Sequence, residues 1–205
     1  MAEDVLALNG LSIELLTQLS YRSQLGLLLK RTLRHFEREA LIAELVSMTE
    51  WLDEQTGLSE IALDYRIKSY ASIVGKYERY FNSSRHVGQV FNDVLGFRAF
   101  CDSYNSALAL TSTSFSVADF SRGKAVDDGY RGVHLYFQLD SNHYPIEIQF
   151  NTLYDRQLNN WLHDYLYKKT YSNEVGQQLR ARYENGKIRN QSEFEEALND
   201  VLSGG

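Results

Sequence analysis

The 205-residue chain has one proline, Pro145, and one cysteine, Cys101. A single thiol excludes a disulfide framework and a cysteine-rich metal site. It sits in the apolar run VLGFRAFC and reads as core. No apolar run approaches the roughly 18 residues a membrane span requires. The N-terminus (Ala2, Glu3, Asp4) lacks the basic start of a signal peptide. A soluble, cytosolic protein without a membrane partner is the expectation. Positive charge is also in short supply: the net charge is −6. That excludes holding nucleic acid by bulk electrostatics but leaves room for a local basic patch. Glycine- or serine-rich linkers, internal repeats and low-complexity tracts are missing. One domain over 1–205 is expected: a helical region at 1–60, a core at 61–170 and C-terminal helices at 171–205.

What the chain does have is alternation. From Asp128 to Thr152 it reads DGYRGVHLYFQLDSNHYPIEIQFNT. Val133, Leu135, Phe137 and Leu139 alternate with His134, Tyr136 and Gln138. After the polar turn Asp140–His143, Ile146, Ile148 and Phe150 alternate with Glu147, Gln149 and Asn151. Period two over both runs predicts a half-buried hairpin with a polar face. A further strand is expected at 94–101. Helices are expected over 11–56 and at 66–82, 86–92, 103–111, 154–170, 173–185 and 191–203. Ser59 and Ser192 are the candidate caps for a short helix and for the last one. Residues 112–129 read as a strand end and a mobile loop. The order predicts an α+β fold: a small mixed sheet of about five strands flanked by N- and C-terminal helices.

Four constellations carry chemistry. In Arg66-Ile-Lys68-Ser-Tyr-Ala-Ser72-Ile-Val-Gly-Lys76, Lys68, Ser72 and Lys76 would line one helix face within about 12 Å. That is either a solvated basic face or a polyphosphate site. Asp93 stands where a helix hands over to a strand, five residues before Arg98. It is a capping aspartate or a metal carboxylate. Gly129-Tyr130-Arg131-Gly132 is either a turn with a packed tyrosine or a loop whose exposed tyrosine could stack on a base. Glu147, beside Gln149, is the acid placed to face Asp93, and two such carboxylates can hold Mg²⁺ and accept a proton. On the helix after the hairpin, His163 and Tyr167 share a face, with a structural role favoured.

Together these segments resemble the RelA/SpoT alarmone synthetase domain in its single-domain form, the small alarmone synthetases. The resemblance covers Tyr65 to Lys168 in order. R-x-K-x-x-x-S-x-x-x-K fits Arg66 to Lys76, and D-x-x-G-x-R fits Asp93 to Arg98. GYRGVH is similar to GYxSxH, YPIEIQFNT to xxEIQxRT, and HDYLYK to H-x-x-x-Y-K. The resemblance implies an ATP-dependent pyrophosphokinase moving the β,γ-pyrophosphate to a ribose 3′-hydroxyl, with Mg²⁺ as cofactor. It implies that Arg66, Lys68, Ser72, Lys76, Arg98 and His134 bind ATP. Asp93 and Glu147 would be catalytic and metal-binding, and Tyr130, Arg131, Gln149 and Asn151 would bind the acceptor.

The chain departs from that family on the acceptor side. Val126 replaces a lysine four residues before Tyr130, Asn151 replaces an arginine, and the loop reads GYRG rather than GYRS. Asp127 and Asp128 would repel a nucleotide 5′-phosphate. These departures resemble the toxic small alarmone synthetases, some of which act on the 3′-CCA end of tRNA. The basic cluster Lys30, Arg31, Arg34 and Arg38 is then a candidate tRNA phosphate site, or else an ion-paired helix face. A neutralising antitoxin is the expected partner, and a nucleotide alarmone synthetase is the alternative reading.

Overall fold

The computed structural model describes residues 5–110, 114–167, 169 and 171–204. Ala2, Glu3, Asp4 and Lys168 lie outside the described residues. The chain runs α1 (Ile13–Gln18), α2 (Arg38–Asp53), α3 (Thr56–Ser59), β1 (Asp64–Ile67), α4 (Tyr70–Tyr80), α5 (Val87–Val90) and β2 (Leu95–Phe100). It continues with α6 (Tyr104–Leu108), β3 (Phe115–Asp119), β4 (Val133–Phe137), β5 (Ile146–Asn151), α7 (Leu153–Leu162), α8 (Asn173–Glu184) and α9 (Gln191–Leu202). A π-helical turn, His163–Tyr167, extends α7. None of these helices is long and apolar enough to cross a membrane.

The five strands form one mixed sheet in the order β1-β2-β5-β4-β3. The central β2–β5 pair is parallel and the other pairs are antiparallel. Alternation turns Leu95, Phe97, Ile146, Ile148, Val133 and Leu135 to one face, where all six are buried in the main core. The other face is polar. Asp64, Arg98, Gln149, His134 and Ala118 form one row across the strands, and Arg66, Gly96, Glu147, Tyr136 and Ser116 form the next. A second core, including Leu158, Leu162, Leu179 and Phe194, joins α7, α8 and α9.

Several local expectations fail for identifiable reasons. The helix expected over 66–82 begins at Tyr70, because Ser69 caps it and accepts from the Ser72 amide. Arg66 therefore lies on β1, and Lys68 in the link before α4, where its N–H bonds Val94 O. The N-terminal region is less helical than its leucine spacing suggests. Residues 19–32 are irregular and are pinned by the buried Glu44, which accepts from Ser23, the Gln24 amide and Tyr144. Lys30, Arg31 and Arg34 consequently sit on a loop and a 3-10 turn (Leu33–His35), while Arg38 opens α2. Ser59 ends α3 rather than capping a helix, and Asn190, not Ser192, caps α9. Leu139 lies past the end of β4 and is exposed.

Candidate phosphate-transfer site

Asp93 leaves α5 and enters β2, so its carboxylate meets the start of α4 at the rim of the polar sheet face. Lys68 Nζ lies 2.8 Å from Asp93 Oδ2, Lys76 Nζ 2.8 Å from Oδ1, and Arg66 Nη2 3.8 Å from Oδ2. Three cations on one partly buried carboxylate form a positively charged cradle. Burial raises the Asp93 pKa, but the Lys76 and Lys68 ammonium groups outweigh it and hold the carboxyl below its ordinary value. Burial also lowers the Lys68 pKa, partly offset by Asp93. Ser72 is exposed at the N-terminal turn of α4, with its hydroxyl 3.0 Å from that of Ser69.

Glu147 is 5% exposed in the middle of the sheet. Gln149 donates to its Oε2 at 2.7 Å, and His134 Nδ1 lies 3.0 Å from Oε1. Burial alone would raise the Glu147 pKa; the His134 contact and the Gln149 amide hold it below the usual value. Gly96 is the row neighbour of Glu147, and a Cβ there would stand 3.3 Å from Glu147 Oε2. The glycine of D-x-x-G-x-R thus leaves room for the carboxylate. A cavity of about 320 Å³ is lined by Lys76, Asp93, His134, Tyr136, Glu147 and Gln149. The two acids therefore face one shared space.

A second cavity of about 370 Å³ adjoins it across Gln149 and holds Arg98, Tyr130, Asn151, Arg156 and His163. Tyr130 is half-buried rather than exposed. Its hydroxyl lies 2.7 Å from His134 Nε2, and Lys124 Nζ stands 5.0 Å from its ring centroid. Burial pushes its pKa up to about 12. With Nδ1–H donating to Glu147, His134 accepts from Tyr130 and links the two cavities. Arg98 reaches Asp64 at 3.2 Å. Arg131 is engaged by both oxygens of Asp127, at 2.8 and 3.0 Å. Lys124 meets Asp128 at 2.5 Å. Asp127 and Asp128 are thus neutralised within the loop, which removes the charge repulsion the sequence suggested.

The loop is anchored from behind. Arg180 of α8, 1% exposed, donates to Gly129 O at 2.7 Å, Asp155 Oδ1 at 2.6 Å and Asn159 Oδ1 at 3.2 Å. Asn151 and Asn159 donate to Arg131 O at 2.8 and 2.7 Å. Gly129 has φ +87°, and a Cβ on it would stand 2.4 Å from Gly176 O. Two glycines therefore allow α8 to touch the loop backbone. Arg156, Asn159 and Arg180 were not singled out in the sequence. The available signal was Asp155 and Asn159 at i, i+4 among the apolar positions of α7; nothing local marks Arg180. Lys30 and Arg31 are exposed, and Lys30 lines a small cavity that shares Gln89, Asn92 and Tyr136 with the first; the Leu29 and Arg31 carbonyls accept from the Gly88 and Val87 amides of α5. Arg34 bonds Asn82, and Arg38 lies 3.6 Å from Glu78. The four basic residues do not join the carboxylate cluster.

The arrangement is of a class suited to phosphate chemistry: clustered cations, two acids and a row of polar groups on one sheet face. No family model and no curated protein matches the sequence. Among solved structures, the small alarmone synthetase 2 of Bacillus subtilis is similar at 20% identity, over 80% of this chain and 98% of that one, with a TM-score of 0.45. The small alarmone synthetase 1 of the same organism, bound to its product pppGpp, is similar at 20% identity over 80% and 88%, TM-score 0.43. A GTP pyrophosphokinase family protein from Streptococcus pneumoniae is similar at 18% identity over 82% and 98%, TM-score 0.43.

Proposed function

We propose that the protein is an ATP-dependent pyrophosphokinase whose acceptor is a ribose 3′-hydroxyl, that of the terminal adenosine of tRNA. The observation that carries the reaction class is the pairing of the Asp93 cradle with Glu147 in one cavity. Lys68 and Lys76 exchange the Asp93 carboxylate for phosphate oxygens when ATP binds, with Ser72 at the α4 N-terminus and Arg66 and Arg98 on the adenosine side. The acceptor 3′-oxygen attacks the β-phosphorus, and the bond from that phosphorus to the α,β-bridging oxygen breaks. AMP leaves, and Glu147 takes the hydroxyl proton. The His134 contact and the Gln149 amide keep Glu147 ionised at neutral pH despite its burial. His134 steadies Glu147 and ties it to Tyr130, on which the acceptor base packs. Gln149 and Asn151 complete that side, and Arg131 fixes the loop through Asp127.

Asp93 and Glu147 suit Mg²⁺, which takes one or two carboxylates and fills its shell with water and substrate phosphates. When bound it would neutralise charge on the transferring group.

Support for a polymeric acceptor comes from the space beside Tyr130. The second cavity shares Arg98, Arg156 and Asn160 with an open groove of about 950 Å³ at the β1–β2 edge. That is more room than one nucleoside fills. Lys30 and Arg31, on the side of the first cavity and not of that groove, would hold phosphates of the stem beyond the acceptor end. Such an activity would block aminoacylation, the action of a toxin, and a neutralising partner protein would be expected. The neutralised Asp127 and Asp128 favour the second reading, a nucleotide alarmone synthetase, because they no longer bar a 5′-polyphosphate.

The test is incubation with Mg²⁺, γ-labelled ATP and, separately, GDP, GTP, adenine nucleotides or deacylated tRNA, with Glu147→Gln as the blank. Label in tRNA that is absent from the blank and lost in Lys30→Ala/Arg31→Ala supports the first reading. Label in a tetra- or pentaphosphate instead replaces it with the second. ATP binding without transfer to any acceptor defeats both.

A further inference from the structure

Arg156 has no assigned role, and its surroundings leave a charge unanswered. It rises from α7 between the two acceptor-side spaces and lines both. Its guanidinium carbon lies 5.0 Å from the Phe100 ring centroid, and Nη2 makes one long contact, 3.4 Å, to Ala99 O. Its Nε is buried and has no hydrogen-bond partner among the described residues. A buried donor left unpaired is costly, and natural sites keep such groups for a ligand or water. The nearby Arg98 adds like charge, and burial together with that charge lowers the Arg156 pKa. A guanidinium held over an aromatic ring presents a planar fork suited to phosphate oxygens.

We propose that Arg156 forms a subsite for the phosphate group on the 5′ side of the acceptor ribose. This rests on the acceptor assignment above. Arg156 does not line the cavity of Lys76, Asp93 and Glu147 but does line the one holding Tyr130. The ligand chemistry is therefore the acceptor's phosphate, not the ATP polyphosphate. A phosphate monoester would come from a free nucleotide and a diester from an RNA 3′ end.

The experiment is equilibrium binding, with the donor site filled by Mg²⁺ and a non-hydrolysable ATP analogue. The probes are adenosine, AMP and the trinucleotide CCA. The wild-type protein should bind AMP or CCA more tightly than adenosine. Preference for CCA identifies the diester source and preference for AMP the monoester. Arg156→Met should weaken the phosphate-bearing probe roughly 10- to 100-fold and leave adenosine unchanged. Arg156→Lys, which keeps the charge without the fork, should lie between and serves if the methionine variant does not fold. Phosphate-bearing probes that bind no better than adenosine would overturn the proposal. So would an Arg156→Met variant that weakens adenosine equally. Binding needs no turnover, so a protein that holds these probes yet transfers no label loses the proposed reaction and keeps this subsite.

Discussion

Replacing Arg180 with methionine removes a cation from an enclosed polar network. Its side chain is 2% exposed and its partner Asp155 12%, and the pair is 2.6 Å apart. The substitution leaves Asp155 with Tyr104 and Thr152 but without its counter-charge, and leaves Gly129 O and Asn159 Oδ1 each short of a donor. Breaking a buried pair from one side costs about 3–5 kcal/mol. For a chain of this length each kcal/mol lowers Tm by about 2–4 °C, so a fall of roughly 6–20 °C is expected. Urea unfolding should give the same loss in free energy. Arg180→Met/Asp155→Asn should recover part of it, because the unpaired charge is gone. The damage should also reach the site: amide hydrogen exchange at residues 129–132 should rise, and acceptor KM should rise more than ATP KM. A loss below about 1 kcal/mol would refute the reasoning, since it would mean that water solvates the network freely.

Gly96→Ala places a methyl 3.3 Å from Glu147 Oε2, which Gln149 holds at 2.7 Å; transfer activity should fall roughly 10-fold or more with little change in Tm, and full activity would count against the placement of Glu147. The Arg131 hydrogen bond, opposed by burial, holds the Asp127 pKa below its ordinary value. That stabilisation is present above about pH 4 and is lost as pH falls through the lower folded-state value. Asp127→Asn should therefore destabilise at neutral pH, and the difference from wild type should vanish toward about pH 2 in pH-dependent urea titrations. Burial first, then Asp102 and Asp155, push the Cys101 thiol up to about 11. Thiol reagents at about pH 8 should modify the native protein far more slowly than the urea-unfolded chain; equal rates would contradict its burial.

The sequence by itself determined the local features. Strict alternation at 133–137 and 146–151 fixed the hairpin, its buried face and its polar face, because period two leaves no other way to bury Val133, Leu135, Ile146 and Ile148 together. Asp93 was legible as a helix-to-strand junction, and Glu147 as an acid on the polar face. The tertiary structure decided what those residues meet. Parallel pairing of β2 with β5 sets Gly96 against Glu147 and Arg98 against Gln149, and nothing within either strand encodes that register. Lys68 and Lys76 reach Asp93 because β1 pairs with β2 and α4 packs beside α5, which ends just before Asp93. The charges of Asp127 and Asp128 read as repulsive in one dimension and are cancelled in three by Arg131 and Lys124. Arg180 reaches Gly129 across 51 residues. Such contacts depend on chain closure over long separations, and the periodicity of a single segment carries no record of them.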